Sequence, residues 1–135
     1  MGGLGGRRKV LFACRENACR SQMAAAFARW HGGDKLDVQS AGSQPAESVN
    51  PLMVEVMNEK GIDMAFNTPQ AIDAAVTMEP PDEIVTMGCG EQCPVVPGAK
   101  VNDWDLPDPA NQSIEFMRDV RDRIERQVRA YIEDV

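Results

Sequence analysis

Residues 9–13 (KVLFA) are a short apolar run rich in β-formers that leads straight into Cys14, and residues 21–30 (SQMAAAFARW) carry three consecutive alanines. The first segment predicts a buried strand and the second a helix. Between them lies Cys14-Arg15-Glu16-Asn17-Ala18-Cys19-Arg20-Ser21, a connection just long enough to wrap once from strand to helix. A strand that hands its chain to a helix through so short a loop is the opening of a parallel α/β unit.

The rest of the chain repeats the alternation. Gly32-Gly33 closes the first predicted helix, residues 37–41 (DVQSA) read as a strand stopped by Gly42, and Asn50-Pro51 is a helix start. That helix runs to Lys60 and ends at Gly61, with a short helical turn within 68–75. Residues 83–87 (EIVTM) form a third strand and 100–104 a short fourth. From about Gln112 the chain is helical, with Met117, Val120, Ile124, Val128 and Ile132 on one face. Its other faces pair Asp119 with Arg123, Asp122 with Arg126 and Glu125 with Arg129, four residues apart. The fold class expected is α/β, a three-layer α/β/α arrangement around a four-stranded parallel sheet. Residues 1–7, rich in glycine, are expected to be a flexible leader and 8–135 a single domain. Met23, Met53 and Met57 read as core filler, Trp30 and Trp104 as packing residues, with Trp104 a candidate wall of the site.

Charge narrows the partners. Fourteen Lys and Arg against twenty-one Asp and Glu leave a net charge of −7. That balance argues against nucleic acid and anionic lipid, which need a basic face, and neither is expected as a partner. No apolar run approaches the ~18 residues of a membrane span, and the expected location is cytoplasmic. Cys14, Cys19, Cys89 and Cys93 should then be reduced at rest, which favours catalytic or redox roles over structural bridges. Nothing demands a dimer, and a monomer is expected.

The Cys14–Ser21 loop has a specific chemical logic. A loop wrapped on itself aims the N–H groups of Arg15, Glu16, Asn17, Ala18, Cys19 and Arg20 at one centre, a nest for an anion. The helix beginning near Ser21 turns its positive end to the same place. Arg20 adds a planar fork of donors suited to a tetrahedral oxyanion. Cys14 faces that positive field, which favours the nucleophilic thiolate, and the Ser21 hydroxyl can steady the sulfur. Cys19 has two readings, a bridge to Cys14 under oxidation or a small buried support for the loop, and the second is favoured. Displacing an oxygen from a bound oxyanion calls for a general acid. Asp108, stiffened between Pro107 and Pro109, is the candidate, with Asp103 and Asp105 as rivals. Cys89 and Cys93 sit on a glycine-rich loop after the third strand, at the same sheet edge as Cys14. Three thiols can then divide the work: one attacks, one resolves and one exports a disulfide. Zinc is the weaker reading, because His31 is the sole histidine and lies just past a helix end.

Together CRENACRSQMA (14–24), QSAG (39–42), VNP (49–51), TMGCGEQCP (86–94) and WDLPDPA (104–110) resemble the low-molecular-weight tyrosine phosphatase superfamily. They resemble more closely the arsenate reductases built on that scaffold. The resemblance implies that Cys14 attacks arsenate held by the 15–20 loop and Arg20 while Asp108 protonates the departing oxygen. It implies that Cys89 then attacks Cys14, that Cys93 attacks Cys89, and that thioredoxin reduces the Cys89–Cys93 disulfide. Asn17 matches the loop asparagine that shapes the anion site, and Ser40 a serine hydrogen-bonded to it. Members that bind potassium near this loop carry Glu and Asp where this chain has Ala25 and Gln70, so no metal and no bound cofactor are expected. Three residues separate Cys89 from Cys93, fewer than in the best-known thioredoxin-coupled members, and members with a short Cys-Gly-x-x-Cys-Pro loop include some served by a low-molecular-weight thiol with a glutaredoxin-like partner, which is the second donor class. A tyrosine phosphatase is the alternative activity, but Asp108-Pro109 is followed by Ala110, Asn111 and Gln112 rather than by aromatic walls. A non-catalytic thiol binder of arsenite or zinc is a third reading, which leaves Arg20 and Asp108 without a role.

Overall fold

The structure, a computed structural model, describes residues 7–78, 80–88 and 96–135. Most of the leader, together with Cys89 and Cys93, lies outside the described residues. Strand β1 (Arg8–Cys14) leads through the 15–19 loop into helix α1 (Arg20–Gly32). After one 3-10 turn follow β2 (Leu36–Gly42), α2 (Pro51–Asn58), α3 (Ile72–Met78), β3 (Glu83–Thr86), β4 (Lys100–Asp103) and α4 (Ile114–Glu133).

The sheet is parallel throughout, in the order β2-β1-β3-β4. Alternation along β1 makes the layers. Val10, Phe12 and Cys14 enter the larger core with α1, α2 and α4, whereas Leu11 and Ala13 enter a smaller one with Ile72 and Ala75 of α3. Phe12 and Phe27 are both buried, each a contribution of roughly 2 kcal/mol. The chain winds outward from β1 to β2 and then returns to β3, so the crevice at the carboxyl ends of β1 and β3 is the topological switch point. Caps fix the helix starts. Asn50 Oδ1 accepts from the N–H groups of Leu52 and Met53, and Ser113 Oγ accepts from Phe116 N–H.

Three local expectations are corrected. Helix α1 runs through His31 to Gly32, and the His31 ring stacks on Phe27 and lies 2.8 Å from Glu125. Trp30 is 61% exposed rather than packed. The three pairs expected four residues apart on α4 do not form. Glu125 turns to His31 and Lys60, and Asp122 to Arg121, while Arg118 and Arg121 both reach Glu59 at the end of α2. An exposed pair four residues apart is worth only about 0.3–0.5 kcal/mol, so the half-buried His31 takes Glu125 and the adjacent Arg121 takes Asp122. Trp104 packs on Phe12 and Tyr131, and Tyr131 donates its hydroxyl to the buried Glu83 carboxylate. Burial and that carboxylate push the Tyr131 phenol up. Arg8 and Asn102 donate to the same carboxylate, tying the amino-terminal edge of the sheet to α4.

The Glu59 cluster makes a pH prediction. Hydrogen bonds from Arg118 and then Arg121 hold the Glu59 carboxyl down to about 2. A folded value below the unfolded one, about 4.3, stabilises the fold above that pH and is lost as pH falls toward the folded value. The Tm gap between wild type and Glu59→Gln should therefore be full above about pH 4.3 and close progressively toward about pH 2. A gap that stays constant in thermal scans across that window contradicts the linkage.

Among the described residues no helix is long and apolar enough to cross a membrane.

Candidate active site

The loop after β1 is wrapped by its neighbours in a way that sets its polarity. The carbonyls of Cys14, Arg15, Glu16 and Ala18 accept from the N–H groups of Ser43, Gln44, Ala46 and Asn50, and that of Cys19 from Met23. Carbonyls engaged by neighbouring segments in this way are what an anion nest requires of a loop whose N–H groups are to serve a ligand. Gly42 makes this approach possible, because a Cβ there would lie 2.6 Å from the Arg15 carbonyl oxygen and 2.8 Å from the Asn17 nitrogen. Asn17 takes a left-handed conformation, φ 54°, a backbone region that asparagine tolerates better than most residues.

Cys14, Arg15, Glu16, Ala18, Cys19, Arg20 and Asp108 line one small cleft. Cys14 Sγ lies 2.9 Å from Ser21 Oγ, which accepts from Asn17 Nδ2 at 2.7 Å. Arg20 is 6% exposed, with Nη1 donating to the Leu106 carbonyl at 3.1 Å and Nη2 lying 3.7 Å from Asp108 Oδ2. Of the three rival carboxylates, Asp108 is the one at the cleft, its side chain largely exposed and its Oδ1 accepting from Ala110 N–H. Asp103 accepts instead from Thr86 Oγ at 2.7 Å. Trp104 is not a wall of the cleft, since its ring is used in the core. Burial, then the neighbouring Cys14 charge, push the Cys19 thiol up to about 12, which suits a loop support rather than a second nucleophile.

Gly88 was not singled out as a site residue by sequence, yet it seats Arg20. Its φ is +83°, and a Cβ there would fall 2.5 Å from Arg20 Nη1. The residue before Cys89 thus lies against the guanidinium. Gly88→Ala combines backbone strain with displacement of that fork. Losing one charge-assisted hydrogen bond predicts phosphate binding weaker by about tenfold to a hundredfold, read by calorimetric titration. Unchanged affinity would show that Arg20 does not depend on this seat.

Ser40 departs from its expected contact. Asn17 Oδ1 accepts from Gln70 N–H at 2.9 Å and Gln22 Nε2 at 3.2 Å, and Ser40 joins through its carbonyl, which accepts from Gln70 Nε2 at 2.8 Å. Gln70 is placed between the two and takes both. The same contacts bear on how these residues would suit potassium. A hard cation needs free oxygens. Here the Asn17 and Ser40 oxygens already face N–H donors, Ala25 is buried and apolar, and Arg29 lines the adjoining cleft with Gln22 and Gln70. These residues do not fit a potassium ion. Sequence did not point to Gln22, and it placed Gln70 near the loop without its bonds to Asn17 and Ser40. The signal available for Gln22 was a polar residue within the otherwise apolar 22–28 stretch.

The family described as low molecular weight phosphotyrosine protein phosphatase matches residues 9–135. A putative arsenate reductase of Halobacterium salinarum is 38% identical over 125 residues, covering 89% of this chain and 87% of its own. A glutaredoxin arsenate reductase of Synechocystis sp. is 36% identical over 124 residues, covering 90% of this chain and 93% of its own. Among solved structures, a thioredoxin-dependent arsenate reductase of Corynebacterium glutamicum superposes with a TM-score of 0.76 at 34% identity. That match covers 96% of this chain, which spans 64% of the neighbour.

Proposed function

Because the chain belongs to the low molecular weight phosphotyrosine protein phosphatase family, we propose that it uses that family's anion loop to reduce arsenate to arsenite, as an arsenic detoxification enzyme. The observation that carries this reading is the seat of Gly88 on Arg20, which brings the chain to the oxyanion loop immediately before Cys89 and Cys93. A phosphatase has no use for two further thiols there. Tyr131, the sole tyrosine, gives its hydroxyl to Glu83 and its ring to Trp104, so it supplies no wall for a phenyl ring.

In the proposed cycle the Cys14 thiolate attacks arsenic and an As–O bond breaks, Asp108 protonating the oxygen that leaves as water. Arg20 and the loop N–H groups hold the remaining oxygens and the charge that develops on them. The Cys89 thiol attacks Cys14 Sγ. An S–S bond forms, and the S–As electron pair stays with arsenic, which departs as arsenite. Cys93 attacks Cys89 and frees Cys14. An external dithiol returns two electrons to the Cys89–Cys93 disulfide, and no bound cofactor is needed. The thioredoxin-dependent neighbour supports thioredoxin as donor, while the Synechocystis relative supports a glutaredoxin-type partner with a low-molecular-weight thiol. A relay of free thiols belongs in a reducing compartment, and the cytoplasm is its proposed location.

The test is arsenate-dependent NADPH oxidation with thioredoxin and its reductase, run beside glutaredoxin with glutathione, and p-nitrophenyl phosphate hydrolysis by the same preparation. The expected result is NADPH oxidation with one of the two donors and at most slow hydrolysis. Hydrolysis without arsenate-dependent oxidation under either donor would return the chain to the phosphatases.

A further inference from the structure

Rotating the Asn17 carbonyl inward would put a negative dipole in the anion nest, so its partner matters. The carbonyls of Cys14, Arg15, Glu16, Ala18 and Cys19 are each held by a backbone N–H. That of Asn17 is held by a side chain, Gln22 Nε2 at 3.1 Å. Gln22 is buried in the first turn of α1, and its Oε1 accepts from Asn67 Nδ2 at 3.1 Å.

The direction of every bond in this chain is fixed from one end. The Gln70 backbone N–H can only donate, so the atom it meets on the Asn17 side chain is the oxygen. The Asn17 amide therefore presents its nitrogen to Ser21, and Ser21 Oγ accepts there. The Ser21 hydrogen is then free for the one remaining neighbour, Cys14 Sγ. A thiolate is an acceptor only, and a donor aimed at it favours it over the thiol. Gln22 strengthens the same polarity, since its Nε2 also donates to Asn17 Oδ1. Its own orientation follows from Asn17, because a reversed amide would set Oε1 against the Asn17 carbonyl and Oδ1; Oε1 is thereby turned to Asn67 Nδ2, which donates to it.

We propose that Gln22 is a positioning residue for Cys14: its amide, held at the far end by Asn67, holds Asn17 so that the carbonyl stays out of the anion nest and Ser21 donates to the sulfur. This rests on the reading of Cys14 as the nucleophile and is independent of which oxyanion reacts. The test therefore omits arsenate and reductase. Trypsin releases residues 10–15 (VLFACR), which contain Cys14 alone, and 16–20 (ENACR), which contain Cys19 alone. Iodoacetamide labelling of the 10–15 peptide is followed by mass spectrometry as a function of pH in wild type and Gln22→Met, a variant that keeps the length of the side chain and removes the amide.

The expected result is labelling of Cys14 at pH 7 slowed about threefold to tenfold, with the pH midpoint moved upward and the alkaline plateau unchanged. A merely structural role lowers Tm and leaves the pH profile where it was, and an unchanged profile in a folded Gln22→Met overturns the proposal. Should that variant not fold, Asn67→Ala releases only the far end of the chain. A shift in the same direction, about twofold, supports the proposal, and none overturns it.

Discussion

Cys14→Ser is expected to abolish arsenate-dependent NADPH oxidation, a fall of at least about 10⁴-fold, with either donor. The position is buried at the end of β1, and its sulfur has the Ser21 hydroxyl 2.9 Å away. A serine oxygen there holds its proton at neutral pH and is a neutral, poor nucleophile. It cannot form the S–As bond whose electron pair reduces arsenic, so the electron path is removed along with the attacking group. In the proposed site the oxyanion is held by backbone N–H groups and Arg20, and Cys14→Ser changes neither. Phosphate affinity should stay within about threefold of wild type. That pairing separates the enzyme from the thiol binder of arsenite. A binder would lose affinity and have no turnover to lose. Retained turnover in a folded Cys14→Ser would move the chemistry to another thiol and sink the assignment.

The parts of the site that were legible in the sequence are those that neighbouring residues encode. An apolar run ending at Cys14, a loop of fixed length and an alanine-rich helix leave little freedom for where the loop lies. The alternation of elements then gives the parallel sheet. What stayed hidden depends on residues distant in sequence. Gly88 looks like any loop glycine until β3 pairs with β1 and carries it to Arg20. The resemblance places Gln70 near the anion loop, but that its N–H meets Asn17, 53 positions away, shows only in the fold. The α4 charges mislead for the same reason: spacing shows which residues share a helix face, but His31 and Lys60 arrive from elsewhere in the chain and take Glu125. Trp30 was placed by hydrophobicity alone, and the end of α1 leaves it outside the core.

Cys93→Ser is expected to convert a cycling enzyme into one that reacts once. In the proposed relay, Cys14 attack and Cys89 resolution need nothing from Cys93, so one arsenite per protein should still be released. The chain then stops with Cys14 and Cys89 joined. Cys93 lies four residues from Cys89, and a thiol on so short a tether acts at an effective concentration on the order of millimolar. A donor supplied at about 1 μM has to replace it, which lowers the steady-state rate by roughly 10³-fold. Access works in the same direction. Cys14 is buried behind its loop, so a protein donor meets the Cys14–Cys89 bond less easily than a disulfide carried away from the site. A small dithiol at millimolar concentration should therefore restore much of the lost rate, whereas thioredoxin or glutaredoxin should not. Full steady-state turnover by Cys93→Ser with a protein donor would mean that the donor attacks Cys89 directly, and the third cysteine would drop out of the mechanism. Absence of even the first arsenite would instead place Cys93 ahead of the resolving step, reversing the order of the two thiols.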